Sequence, residues 1–352
     1  MKFVVAKFGL SGLLITACLL SVVQAQQTAA QKYLISVERI WDRAQHNAFT
    51  DLVEFNGKLY CTFREGSAHV PGKEGVNGTI RVIVSDDGQN WRSVALLAEA
   101  AYDLRDPKLS VTPDGRLMVV AGGSYYEGET RLHTKMWVAF SDKLGKSFGR
   151  VQAMMFDEKA AAVAGWLWRV TWHRGIGYGV MYNSAADRND AMLLSTRDGV
   201  HFQTLTRFDL NGAPNETVLR FLPNGNMVAW VRRERESQNG FIGVSRAPYT
   251  EWQWKEQPRR IGGPEFTVLP NGQLIGAARL YLPEGKTRTF VVSLTTDGKL
   301  EPLLMLPSAG DNSYAGMVLR GDKLLMSYYA SHEGKTSIYL ATLNAKALRQ
   351  QE

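Results

Sequence analysis

One strand-and-turn unit recurs about every fifty residues along most of this chain. An apolar strand ends in Ser or Thr, a turn follows, and an aromatic often closes it. The pattern appears in VIVSDDGQNW at Ser85, VAFSDKLGKSF at Ser141, LLSTRDGVHF at Ser195, GVSRAPYTEW at Ser245, VVSLTTDGKL at Ser293 and YLATLNAK at Thr342. The intervals are 56, 54, 50, 48 and 49 residues. Self-similarity at such a period indicates a propeller or solenoid rather than several unrelated domains. Helical patterns are nearly absent. The segments are short, rich in Val, Leu, Phe, Trp and Tyr, and bounded by Gly, Asn, Asp and Pro-Asn-Gly or Pro-Asp-Gly turns, which is strand chemistry. The expected fold is all-β: a six-bladed β-propeller of four-stranded antiparallel blades, which leaves no long open edge. The sixth unit runs out of chain after three strands, so residues 32–40 are expected to supply its outer strand.

A second regularity lies inside the repeat. Gly57 is followed seven residues later by Arg64, Gly225 by Arg232 and Gly272 by Arg279. Arginines at equivalent strand ends around an axis would converge on one spot, and a guanidinium fork matches a carboxylate. An anionic ligand, expected to be an acidic glycan, follows from that reading.

Composition and targeting narrow the classes. Lys2 and Lys7 flank an apolar run from Phe8 to Val23, and Val23-Gln24-Ala25 fits a signal peptidase site. Residues 1–25 are expected to be a signal peptide, with 26–352 as one propeller domain that is secreted or periplasmic. A lipoprotein box ending at Cys18 is the lesser alternative. The remaining chain has one cysteine, Cys61, so intramolecular disulfides are excluded and a large core must supply stability. No second apolar run is long enough to span a membrane. The formal charge of +7 becomes +5 without Lys2 and Lys7. The basic residues are dispersed, which argues against nucleic acid as a partner. Histidines are scattered, with no zinc spacing and no phosphate-binding glycine loop, so neither metal nor cofactor is implied. A monomer is expected.

SDDGQNW resembles the Asp-box of sialidases, with Asp86, Gly88 and Trp91 on the Asp, Gly and Trp positions. That box marks a fold, because a carboxylate capping turn amides is a structural device. NETVLRFLPNGNMVAWVRR, residues 215–233, is similar to the sialidase segment in which a Glu begins one strand and a triad arginine ends the next. Glu216, Gly225 and Arg232 keep both intervals. NSYAGMVLRGDKLLMSYY, from 312, resembles the last sialidase blade, and the resemblance places the nucleophile on Tyr314. PEFTVLPNGQLIGAAR supplies Arg279 as a second triad arginine. Two departures stand out. The first triad arginine is missing, with His46 and Asn47 in its neighbourhood. The loop 65–78, where sialidases carry an acid/base Asp, has none; its candidates are His69, Glu65 and Glu74.

The resemblance implies a retaining exo-glycoside hydrolase that releases a terminal sialic acid or related acidic sugar. Tyr314 would attack, Glu216 would take its proton, because free tyrosine titrates near pH 10, and His69 or Asp106 would handle the leaving-group proton. Arg232, Arg279 and Arg64 would hold the carboxylate. His46, Asn47, Arg105, Trp168 and Arg169 complete the expected substrate contacts. The alternatives are a non-catalytic glycan-binding propeller and a hydrolase or lyase acting on uronate-containing polysaccharide.

Overall fold

A computed structural model of the chain describes residues 27–28, 30–183 and 189–350. The expected export segment 1–25, with Cys18, lies outside the described residues. Among the described residues, twenty-four β-strands carry almost all the regular structure, and the helices, such as those at Glu158–Ala161 and Ala345–Arg349, are short. No helix among the described residues is long and apolar enough to cross a membrane.

The strands pair antiparallel with their sequence neighbours in repeated meanders. β2 (His46–Phe55), β3 (Lys58–Gly66), β4 (Thr79–Ser85) and β5 (Arg92–Leu97) form one four-stranded sheet, and β6 (Asp103–Val111) to β9 (Gln152–Ala153) form another. β11 (Trp166–His173) to β14 (His201–Arg207) form a third, extended by the short β10. A seven-stranded sheet runs from β15 (Pro214–Phe221) to β21 (Leu300–Met305). It contains two meanders that share the sixteen-residue β18 (Gln253–Val268). The first half of β18 pairs with β17 (Asn239–Ser245) and the second half with β19 (Leu274–Tyr281). The last sheet, with β22 (Asn312–Arg320) and β23 (Lys323–Ala330), has the order β1-β24-β23-β22. Here β1 (Leu34–Trp41), from the N-terminal end, pairs antiparallel with β24 (Ser337–Asn344), near the C-terminus. This is the closure expected from residues 32–40. It satisfies backbone groups that an open edge would leave unpaired.

The first strands of the meanders face inward. β2 touches β6, β6 touches β11, β11 touches β15, β15 touches β18, β18 touches β22 and β22 touches β2. That cycle is closed and surrounds an axis. Every one of these strands has a register break where it enters: Ala48/Asp51, Arg105/Lys108, Leu167/Val170, Pro214/Thr217, Gly262/Glu265 and Ser313/Gly316. A bulge re-aims the side chain it carries and commonly sits next to functional sites. At four of the six breaks the first unpaired residue has positive φ: Phe49 (61°), Asp106 (51°), Gly263 (56°) and Tyr314 (52°). Three of these are not glycine, and backbone held there costs energy that only surrounding structure sustains.

The turns are held by the repeated Ser/Thr-x-Asp-Gly unit, with one correction to the sequence reading. In the first turn Asp87, not Asp86, accepts the turn amides, from Gln89 and Asn90, both at 2.8 Å. Asp86 instead pairs with Lys58 at the surface. Ser85 Oγ accepts from the Gly88 amide at 2.8 Å, and Trp91 Nε1 donates to the Gly88 carbonyl at 3.0 Å.

Candidate functional site

At the entry end of the axis, side chains from five of these strands meet. Tyr314, on the β22 bulge, donates its phenol hydrogen to Glu216 Oε1 at 2.6 Å. Glu216 starts β15, 98 residues away in sequence. Arg232, near the end of β16 (Met227–Arg233), places Nη1 at 2.8 Å from the same carboxylate oxygen and 3.1 Å from the phenol oxygen. The other carboxylate oxygen accepts the Gly263 amide at 2.8 Å. Gly263 has to be glycine. Its φ is positive, and a Cβ there would stand 2.7 Å from the Tyr314 ring.

These neighbours set the protonation. Burial pushes the Tyr314 phenol well above its ordinary value, and the Glu216 charge adds to that against Arg232 and Arg279. For Glu216, burial works the other way from its partners. Arg232 and the hydrogen bonds outweigh it and hold the carboxyl below the usual glutamate range. The resting pair is therefore a protonated phenol against an ionised carboxylate, the arrangement that a tyrosine nucleophile with a carboxylate base would need.

Around this pair lie an acid and several cations. Asp106, on the β6 bulge, is largely buried, which raises its carboxyl above the ordinary aspartate value against the pull of Arg105 and Lys108. Arg105 stands 3.6 Å from Asp106 and donates to the His69 carbonyl at 3.3 Å. It also packs over the Phe49 ring at 5.1 Å. Of the arginines here it alone has no carboxylate within hydrogen-bond distance. Arg279 lies over the Tyr314 ring at 5.2 Å. It donates from Nε to the Asn312 carbonyl at 3.0 Å and from Nη2 to Asp311 Oδ1 and Tyr329 Oη, each at 3.2 Å. Trp168 forms a wall, edge-on to Tyr314 with ring centroids 5.7 Å apart.

His46 and His69 join the group through Asp311, which the sequence reading did not single out. Asp311 Oδ2 lies 3.1 Å from His46 Nε2 and 2.7 Å from His69 Nδ1. His46 is buried, which lowers its pKa despite Asp311. His69 is half exposed, on the loop after β3. Glu234, also missed, pairs with Arg232 and with Arg260. It directly follows Arg232-Arg233, a signal the sequence did carry.

Three expected contacts are corrected. Arg64 has no exposed surface, and its Nε and Nη2 donate to Asp103 at 3.1 and 2.6 Å. It lies in a slot kept open by Gly66 and Gly78; a Cβ on Gly78 would fall 2.1 Å from Arg64 Nε. Asn47 is fully buried and bonds the carbonyls of Ala44 and Thr336, so it closes the chain ends. Arg169 points one layer deeper, where Asp51 and Glu265 hold it. None of these three guanidinium or amide groups is free to meet a ligand. The other two loop candidates are placed differently from His69. Glu65 is spent on Trp41 and Arg81, while Glu74 is exposed in the loop after β3.

By sequence, no family model matches the chain and no curated protein matches it. Solved structures do resemble it. A protein of unknown function from Dyadobacter fermentans superposes with a TM-score of 0.73 at 18% identity, over 88% of this chain and 98% of that one. An α-L-arabinofuranosidase from Fusarium graminearum gives 0.65 at 14% identity, over 90% and 99%. A sialidase from Streptococcus pneumoniae gives 0.66 at 9% identity, over 89% of this chain and 71% of that one. At such identities the likeness is one of fold, and this chain is a divergent example of the sialidase-like β-propeller.

Proposed function

We propose that this protein is a secreted glycoside hydrolase that uses Tyr314 as a nucleophile, in a six-bladed propeller formed by residues 26–352 after removal of an export signal at 1–25. The observation that carries the reading is the 2.6 Å hydrogen bond from the Tyr314 phenol to a buried, ionised Glu216, with Arg232 beside both. Tyrosine nucleophiles are a known exception to the two-carboxylate scheme of glycosidases.

In the first step the Tyr314 oxygen bonds to the anomeric carbon as its proton passes to Glu216. The glycosidic C–O bond breaks, and Asp106 protonates the departing oxygen. A water then attacks the anomeric carbon, giving its proton to the Asp106 carboxylate. The Tyr314 oxygen leaves and recovers its proton from Glu216, so acid and base are both restored. Of the two proton donors considered from sequence, Asp106 is favoured because burial holds its carboxyl toward the protonated form and the Glu216 charge adds to that. The substrate is a terminal sialic acid or related acidic sugar, its carboxylate met by Arg105 together with Arg232 and Arg279.

A second reading takes a neutral sugar, and one observation favours it: Arg232 and Arg279 already face Glu216, Glu234 and Asp311. The resemblance in fold to an arabinofuranosidase fits this reading as well. Aryl glycosides separate the two. Release from an aryl sialoside supports the acidic sugar, and release from an aryl α-L-arabinofuranoside alone supports the neutral one. Tyr314→Phe tests the mechanism under either. Turnover is expected to fall by about a thousandfold or more, with substrate binding largely kept; turnover at the wild-type rate would reject the nucleophile.

A further inference from the structure

We propose that His46, His69 and Asp311 form a binding site for a divalent transition-metal cation of the zinc class, at the rim of the same pocket. Each residue offers one donor atom, and the three atoms lie within 4.8 Å of one another. They come from distant parts of the chain: the start of β2, the loop after β3 and the residue before β22 (Asn312–Arg320). Closure of the strand ring brings them together, so no local spacing advertises them.

The carboxylate is aimed by its outer partners. Tyr329 Oη donates to Asp311 Oδ1 at 2.8 Å, and Arg279 Nη2 reaches the same oxygen at 3.2 Å. Oδ2 is left to face both imidazoles. Hydrogen bonds on the far oxygen of a ligating carboxylate are the usual way such a group is oriented toward a metal. His46 is fixed from behind by the backbone bridge to Thr336.

The donor set selects the ion. Two imidazole nitrogens and one carboxylate oxygen suit zinc and its neighbours, whereas calcium and magnesium prefer oxygen throughout. Three protein ligands leave a fourth position open, as in sites that bind a reactant rather than merely staple a fold. Access is available, since His69 is half exposed and Asp311 about a quarter exposed. One carboxylate leaves a dication's charge only partly balanced, and Arg279 adds to the excess. An anionic oxygen is therefore the favoured fourth ligand.

The inference does not depend on Tyr314, and the test is built to keep the two apart. Purified protein is stripped with a chelator, dialysed, and titrated with zinc chloride in a calorimeter. One ion per chain is expected. His69→Ala alters only a half-exposed loop residue, so the fold should persist, as circular dichroism would verify; zinc affinity should fall at least about a hundredfold. Tyr329→Phe, which touches no metal ligand atom except through Asp311, should weaken zinc about tenfold. Cobalt in place of zinc should give visible absorption bands in the wild type and none in His69→Ala. Tyr314→Phe should bind zinc normally. A wild-type protein that takes up no zinc, or a His69→Ala variant that binds it as tightly as the wild type, overturns the site. Zinc uptake without any glycosidase turnover would leave the metal site standing and sink the function proposed above.

Discussion

Two charged layers cross the axis of this molecule, one residue pair apart along the inner strands, and they have opposite characters. The site layer holds Tyr314, Glu216, Arg232, Arg279, Asp106 and Asp311. The floor layer holds Asp51, Lys108, Arg169 and Glu265, which lie at the inner ends of the register breaks of β2, β6, β11 and β18. In the floor, Asp51 accepts from Arg169 at 2.8 Å and from the Leu109 amide at 2.7 Å. Lys108 donates to the Thr50 carbonyl at 3.0 Å, and burial pushes its pKa down to about 8. Arg220 closes the other side against Glu265, above a cavity of about 330 Å³ at the far mouth. The floor thus has both of its carboxylates fully buried and paired with guanidinium groups. The site layer has similar residue types, yet Arg232, Arg279 and Asp311 keep some exposed surface. It also contains a phenol whose backbone is held at positive φ. Density of buried charge alone does not mark a site. Access and a strained, re-aimed side chain do.

That contrast is most sharply broken in the floor. Asp51→Ala would leave the Arg169 guanidinium buried with half its counter-charge gone. Removing one partner of a buried pair typically costs about 3–5 kcal/mol. A chemical denaturation curve should show that loss, or the variant should fail to accumulate as folded protein. An unchanged midpoint would mean the floor is a dispensable feature and the distinction between layers is false.

Much of this arrangement was legible in the sequence, and the failures are instructive. The fifty-residue period placed the meanders, because it is a property of a repeating backbone, whereas Glu216 and Arg232 were implied as partners of Tyr314 by the resemblance of residues 215–233 to a sialidase segment. Arg64 shares the offset of Arg232 and Arg279 but not their surroundings. Gly66 and Gly78 open a sideways slot toward Asp103, and the repeat says nothing about which neighbour a guanidinium meets. The turn carboxylate was misread by one residue because Asp86 and Asp87 are adjacent, and only the hydrogen bonds distinguish them. Asp311 was missed although Asn312 and Ser313 beside it were noticed. Its partners His46 and His69 lie more than 240 residues away, and no pattern along a chain encodes a contact made by ring closure.

Within the site layer, the two carboxyls should separate on a pH profile, since their environments push them apart. Glu216 must be ionised, and its pKa is depressed, so activity is lost as pH falls through a value below the ordinary glutamate figure of about 4.3. Asp106 must be protonated, and its pKa is raised, so activity is lost as pH rises through a value above the ordinary aspartate figure of about 3.9. The stability contributions carry the same signs: that of Glu216 fades toward acid, that of Asp106 toward alkali. Asp106→Asn should lower kcat/KM about a hundredfold for substrates with poor leaving groups and spare it for activated aryl glycosides, whose turnover is then limited by the water step, and it should remove the alkaline limb. If the alkaline limb survives in Asp106→Asn and disappears in His69→Ala, the proton donor is His69.

The smallest effect is expected furthest from both layers, in the turns. Asp198 repeats the role of Asp87, accepting the Val200 and His201 amides at 2.8 Å each, while Thr196 Oγ1 accepts from Gly199 at 2.9 Å. Burial works to raise its carboxyl, but the hydrogen bonds from His201, Val200 and Thr196 together outweigh it and hold the group low. Asp198→Ala frees amides that water can reach, so the cost should stay near 1 kcal/mol, the net worth of ordinary hydrogen bonds. Thermal melting would read it as a modest shift, and turnover should not move, because the turn lies on an outer strand pair. A loss of activity at constant stability would show that turn geometry is transmitted to the axis. The inner strands would then not be the rigid frame that sets Tyr314 against Glu216.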